Sequence, residues 1–153
     1  MGYYIQQLDT NFFLPVEHLD TLVQDAKALL TKEAKDSYGA RGYTWRGEYI
    51  TKHYSWVDEQ GVLDGKTFAE IASGFRWSLE EDEEGNVTDF IFSGEKYGGD
   101  ELVFLNTIAP YVKEGSFIEF RGEDGEQWKW YFNGNTCEEY FAEIIYSDLE
   151  GVK

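Results

Sequence analysis

Glu80-Glu81-Asp82-Glu83-Glu84 is an unbroken run of five carboxylates, followed by Gly85-Asn86. Carboxylates gathered this closely can hold a metal ion, share a proton or face a positive surface, and their spacing decides among these. Glu80, Asp82, Glu84 and Gly85 imitate the start of a calcium-binding EF-hand loop. The position that must supply its bidentate carboxylate holds Ile91, however, and the flanks read as strands. The run is therefore expected at the tip of a charged hairpin. Gly94, Gly98 and Gly99 precede a helical stretch, where backbone amides can cradle a phosphate. Asp100 and Glu101 occupy the helix start that such an anion would need, so a carboxylate cap is expected there instead. His18 and His53 are the only histidines and Cys137 the only cysteine. A thiol nucleophile would need one of those histidines beside it, and nothing in the spacing provides that. Glu119 and Glu123 could pair as acid and base, yet Arg121 and Lys129 suit Glu119 as neighbours in an exposed ladder of ion pairs. No nucleotide, zinc or hydrolase signature occurs, so no enzyme activity, cofactor or metal is expected.

What remains is charge itself. The chain carries 30 acidic and 13 basic residues, a formal net charge of −17. Residues 1–76 hold 8 Lys and Arg against 11 Asp and Glu, whereas residues 77–153 hold 5 against 19. Such a surface repels nucleic acid and anionic membranes and favours a basic protein, either one that binds nucleic acid or a toxin. The expected partner-binding residues are Glu80, Glu81, Asp82, Glu83, Glu84, Asp89, Glu95, Glu119, Glu123, Asp124 and Glu126. An alternative site is aromatic. In residues 37–56, Tyr38, Tyr43, Trp45, Tyr49, Tyr54 and Trp56 are interleaved with Arg41, Arg46 and Lys52. Base stacking works inside a positive groove, which this chain lacks overall. A loop folded over the core or offered to a protein partner suits the stretch better, with Tyr43, Trp45, His53 and Trp56 as the lining of any small-ligand cleft.

The elements that must position these residues follow from periodicity. Phe117-Ile118-Glu119-Phe120-Arg121 and Gln127-Trp128-Lys129-Trp130-Tyr131-Phe132 alternate apolar and charged, with Asp124-Gly125 between them, and predict a β-hairpin with one apolar face. Residues 75–79 and 87–92 predict a second hairpin whose loop is the acidic run. Residues 3–8 read as a first strand turned by Asp9-Thr10-Asn11. Residues 15–34 read as a helix with Val16, Leu19, Leu22, Val23, Ala26, Leu29 and Leu30 on one stripe, and residues 52–57 as a strand. Leu63-Asp64-Gly65 reads as a break before a short helix capped by Thr67. Residues 100–112 predict a helix with Leu102, Val103, Leu105, Ile108 and Ala109 inward, distorted at Pro110. Residues 137–146 alternate as a last strand. A length of 153 residues suits a single domain spanning 1–153. One cysteine allows no disulfide within the chain, no apolar run reaches the ~20 residues of a membrane span, and the first residues carry neither a leader nor an acylation signal. A cytoplasmic location is expected.

Several strings together resemble a family of small uncharacterised proteins of bacterial and phage genomes: Ser55-Trp56-Val57-Asp58, then residues 90–101 with Gly94-Glu95-Lys96-Tyr97-Gly98-Gly99, then Ile108-Ala109-Pro110-Tyr111-Val112, and then Gly115-Ser116-Phe117-Ile118-Glu119-Phe120-Arg121-Gly122-Glu123-Asp124-Gly125 with Trp128 and Trp130. The likeness covers roughly residues 52–134 and leaves the glycine- and aromatic-rich residues 39–49 outside it. No activity comes with it. Its phage setting implies only that a counter-defence role is within range.

The sequence thus predicts an α+β fold, an antiparallel sheet of about six strands with two to three helices packed on one face. It favours a non-enzymatic acidic binding or inhibitor protein that docks on a basic surface of a partner protein, with nucleic-acid mimicry in phage counter-defence as one form of that role. The alternatives are an immunity protein against a basic toxin, and a small-ligand binder or enzyme using the aromatic region.

Overall fold

The alternation of residues 117–132 fixes the main sheet, because Ile118, Phe120, Trp128, Trp130 and Phe132 can all be buried only if the two segments pair in register. In the computed structural model, which describes residues 2–38, 40–43 and 49–147 and gives only the backbone of 40–43 and 49–53, they do so. In chain order the elements are β1 (Tyr3–Asn11), a 3-10 turn (Val16–His18), α1 (Leu19–Ala28), α2 (Lys32–Tyr38), β2 (Ala40–Tyr43), β3 (Tyr49–His53), α3 (Glu59–Asp64), α4 (Phe68–Gly74), β4 (Trp77–Glu81), β5 (Val87–Phe92), β6 (Lys96–Tyr97), α5 (Glu101–Ile108), a second 3-10 turn (Ala109–Tyr111), β7 (Phe117–Gly122), β8 (Gln127–Phe132) and β9 (Cys137–Phe141). The fold is α+β. A five-stranded antiparallel sheet in the order β6-β1-β7-β8-β9 stands beside two two-stranded ladders, β2-β3 and β4-β5. Both expected hairpins form, but β4-β5 keeps its own ladder instead of joining the large sheet.

In β7-β8, Phe117 faces Tyr131 and Phe120 faces Trp128, and Gly125 turns the chain with φ +90°. Ile118, Phe120, Trp130 and Phe132 are fully buried. Each such side chain contributes roughly 1.5–3 kcal/mol or more through burial. Their rings meet those of the other layer: Trp77 lies 4.8 Å from Phe90 and 6.3 Å from Trp130, and Phe12 lies 4.8 Å from Phe90. On α5 the interior positions are Phe104, Leu105, Ile108 and Ala109 together with Glu101, while Leu102 and Val103 are half-buried.

Three expectations are corrected here. Asp9-Thr10-Asn11 is no turn: β1 continues through it, past a bulge between Gln7 and Thr10. The Gln7 side chain explains the irregularity, since its amide donates to Thr10 Oγ1 (2.7 Å) and to the Phe90 carbonyl (2.8 Å), and its oxygen accepts from Phe92 N (2.6 Å). One side chain thereby fastens β5 alongside β1. The first helix does not run unbroken to residue 34. It begins as a 3-10 turn and stops after Ala28, where the buried Tyr54 hydroxyl donates to the Leu29 carbonyl (2.8 Å) and Thr31 Oγ1 accepts from Ala34 N to start α2. Burial raises the Tyr54 hydroxyl to about 12, so it stays a donor. Finally, residues 59–64 form α3, with Asp58 accepting from Gly61 N, so that Leu63 and Asp64 belong to a helix and the break expected at residues 63–65 falls from Gly65 to Thr67 instead. The Thr67 cap is present as expected, accepting from Glu70 N (3.2 Å).

Candidate docking surface

The acidic run forms the tip of β4-β5. Glu80 stands opposite Asp89 across the ladder, a like-charge pairing that works against the hairpin. Among the described residues no lysine, arginine or histidine lies within 4.0 Å of Glu80, Glu81, Asp82, Glu83, Glu84 or Asp89. One amide side chain organises the loop. Asp82 Oδ1 accepts from Glu84 N and Asn86 N (both 2.9 Å), Asn86 Nδ2 donates to Asp82 Oδ2 (3.0 Å), and Asn86 Oδ1 accepts from Val16 N (2.8 Å). These donors, the Asn86 side chain foremost, hold the Asp82 carboxyl below its ordinary value. Leu14 and Val87 exchange two backbone bonds of 2.9 Å beneath the tip. Asn86 is nearly buried while Glu80, Glu81, Glu83 and Glu84 are exposed. The loop is thus fixed from below and leaves its glutamates to solvent.

Glu95, Glu123, Asp124 and Glu126 gather elsewhere. Tyr4 N donates to Glu123 Oε1 (3.2 Å), Ile5 N donates to the Glu95 carbonyl (3.0 Å), and the Tyr3 hydroxyl donates to Asp124. That last bond lifts the Tyr3 hydroxyl to about 12 and lowers the Asp124 carboxyl. This second group lies at the Tyr3 end of β1, whereas the β4-β5 tip lies beyond its Asn11 end. Nine strand residues at roughly 3.3 Å each separate them by about 25 Å, several times the ~8 Å over which exposed charges interact at physiological salt. The expected carboxylates therefore form two poles. Glu119 belongs to neither: it stands opposite Lys129 in mid-sheet, and the Lys129 ammonium lies 4.4 Å from the centre of the Phe117 ring.

A third cluster is one that the sequence does not announce. Among the described residues Arg76 and Trp56 are the non-glycine residues with positive φ, +75° and +55°, a conformation that costs about 1–3 kcal/mol each and persists only where the surroundings impose it. Here the Arg76 guanidinium lies 5.5 Å from the Trp56 ring and 4.9 Å from Phe92. It donates to the Lys96 carbonyl (2.9 Å) and to Glu101 Oε2 (2.7 Å). Glu101 also accepts from Gly98 N and from Gly99 N (2.9 Å), so the glycine cradle holds an anion after all, and the anion is the chain's own carboxylate. Asp100 turns away from the helix start to accept from Ser55 N (2.7 Å). The expected carboxylate cap is thus replaced by two carboxylates tying loops together. Burial, and after it the neighbouring Glu101 charge, raise the Asp100 carboxyl, against the lowering effect of the Ser55 hydrogen bond.

Of the alternative aromatic site, Trp45 lies outside the described residues and Tyr43 and His53 are described by backbone only. Trp56 is exposed over Arg76. The His18 ring lies tilted against Tyr111, 4.9 Å between ring centres, and 3.6 Å from Glu17. Cys137 is buried, which pushes its thiol far up, so it is no nucleophile in this setting. Among the described residues no group of three or more His, Cys, Asp or Glu could hold a metal ion, and no helix is long and apolar enough to cross a membrane. Comparison with protein-family models, with curated proteins and with solved structures found no match for this chain.

Two working residues escaped the sequence reading. Asn86 left a signal, an Asp-x-x-x-Asn spacing across a loop that closes on glycine. Arg76 left none, because its role depends on a backbone conformation that only the assembled fold dictates.

Proposed function

We propose that this chain is a non-enzymatic binding protein that docks the β4-β5 tip onto a basic surface of a partner protein, a surface of the kind that otherwise holds a nucleic-acid backbone. One observation carries the reading: six carboxylates, two of them directly opposed, sit on a hairpin whose loop is pinned from beneath, with no lysine, arginine or histidine within 4.0 Å among the described residues. Like charges held together cost stability, and a cationic partner removes that cost on binding. Prior ordering of the loop also lowers the entropy lost when the complex forms. Inhibition of a nucleic-acid-binding protein, as in phage counter-defence, and neutralisation of a basic toxin both use this chemistry. The pinned tip supports the shared step.

The test is capture from the host of origin with wild type and with the variant carrying Glu80→Gln, Glu81→Gln, Glu83→Gln and Glu84→Gln, followed by affinity measurement on the purified partner. The reading expects a basic protein retained by wild type and lost by the variant. It also expects wild-type affinity to fall about tenfold or more between roughly 0.1 M and 1 M salt, where the screening length shrinks from ~10 Å to ~3 Å. A partner bound equally by both proteins, or indifferent to salt, would overturn it. The four substitutions leave the fold in place, since these side chains are exposed, and they relieve the repulsion between Glu80 and Asp89.

A further inference from the structure

Strand chemistry continues in this chain beyond the point where the strand ends. Residues 137–146 alternate throughout, yet β9 stops at Phe141. The reason is the length of its neighbour: Ala142 N donates to the Gln127 carbonyl (3.0 Å), and Gln127 is the first residue of β8, preceded by the turn from β7. Ala142-Glu143-Ile144-Ile145-Tyr146 therefore has β-strand composition and, among the described residues, no strand to pair with. Ile144, Ile145 and Tyr146 are 84%, 79% and 91% exposed. β9 is also the last strand of the sheet. Cys137 N, on its open side, donates to Asn106 Oδ1 (2.8 Å). By alternation the amides of Glu139 and Phe141 face the same way, and no helix or loop bond is made to them among the described residues.

We propose that this edge is completed by a second copy of the chain, with residues 141–147 of the two copies pairing antiparallel about a two-fold axis through Ile144. The register complements itself. Ile144 meets Ile144 on the axis, Tyr146 falls opposite the small Ala142, and Phe141 falls opposite Ser147. Glu143 falls opposite Ile145, so the two glutamates of the strand never face each other. A register centred on Glu143 would oppose them, at a cost. Tyr146 of the second copy would then lie at the Ala142 end of the groove of about 580 Å³ that Lys129, Tyr131 and Tyr140 line on the sheet's outer face. With aromatic side chains at roughly 200 Å² each, Tyr140, Phe141 and Tyr146 alone offer about 400 Å² of exposed surface per copy, and Ile144 and Ile145 add to it, toward the about 800 Å² per partner of a standard stable interface. A closed two-fold contact also removes the unpaired edge that would otherwise recruit strands indiscriminately.

This pairing is independent of the tip's role, and salt separates the two. Two chains of net charge −17 repel, so added salt strengthens self-association while it weakens docking on a cation. Sedimentation equilibrium at protein concentrations on the order of 10–100 µM, across a salt series, is the experiment, with hydrogen exchange on the same samples. Expected are a dimer favoured by salt, slowed exchange at residues 143–147, and at least tenfold weaker dimerisation in Ile144→Lys at unchanged thermal stability. A wild type that stays monomeric at high salt, a dimer untouched by Ile144→Lys, or association that runs on into fibres would each overturn the proposal, as would an edge that takes up strands of other proteins only.

Discussion

At the tip of β4-β5 a run of carboxylates faces water with one amide side chain to organise it, whereas at the start of α5 two carboxylates turn inward, against a guanidinium and three backbone amides. The residue types are the same and their uses are opposite. Glu101 is almost wholly desolvated and accepts from the Arg76 guanidinium, Gly98 N and Gly99 N, so its charge is spent on holding Arg76 and residues 98–99 in one arrangement, while Asp100 holds Ser55. The glutamates of the tip hold nothing together, and their charge is available to a partner. Acidity in the sequence therefore says little until each carboxylate is assigned to the inner or the outer set.

The comparison can be broken most severely from the inside. Glu101→Ala leaves the Arg76 guanidinium buried without its anion and should cost about 3–5 kcal/mol, read as a fall in the urea midpoint. Replacing both partners by apolar residues, Arg76→Met with Glu101→Leu, should recover a good part of that loss. If the single variant is as stable as wild type, the two sets of carboxylates do not differ as described. A smaller effect is expected from the hinge of the outer set. Asn86→Ala strips Val16 N of its acceptor and should cost about 1–3 kcal/mol. It should also change the acid limb of stability. Because the native Asp82 carboxyl is lowered, its contribution is complete above the ordinary aspartate value and is lost as pH falls toward the native one. Without Asn86 that limb should flatten.

The smallest change sharpens the contrast by reversing its sign. The Asp100 carboxyl is raised, so its contribution to stability is present below the ordinary aspartate value and is lost as pH rises through the native one. Asp100→Asn keeps an oxygen for Ser55 N and removes the charge beside Glu101. It should raise the neutral-pH melting temperature slightly, by less than about 1 kcal/mol of stability, and abolish that slope. A loss of stability at neutral pH would mean that the negative charge of Asp100 is needed where it stands.

Much of the fold was legible because it rests on periodicity. The β7-β8 and β4-β5 hairpins, the Thr67-capped helix and the distortion at Pro110 each depend on local pattern and are where the residues put them. The misreadings share another cause. Asp9-Thr10-Asn11 has turn composition, but Gln7 and the partner strand β7 draw it into a ladder; Leu29 and Leu30 continue a helical stripe, but Tyr54 takes up the carbonyl of Leu29. In both cases a contact distant in sequence outbids a local preference. The candidate site divides the same way. The acidic tip could be read from spacing, whereas its distance from Glu123, Asp124 and Glu126 is set by the length of β1, and the Arg76 cluster by conformations no local pattern marks.

The position of β1 has a consequence for how the molecule comes into being. β1 precedes both of its neighbours in the chain yet is an inner strand of the finished sheet, lying between β6 and β7, and its long partner begins at residue 117. While the ribosome is still reading the middle of the message, that strand has no edge to join, and its apolar residues must wait with the helices that follow. Closure of the sheet must wait for residues 117–122, over a long chain separation of the kind that makes folding slow.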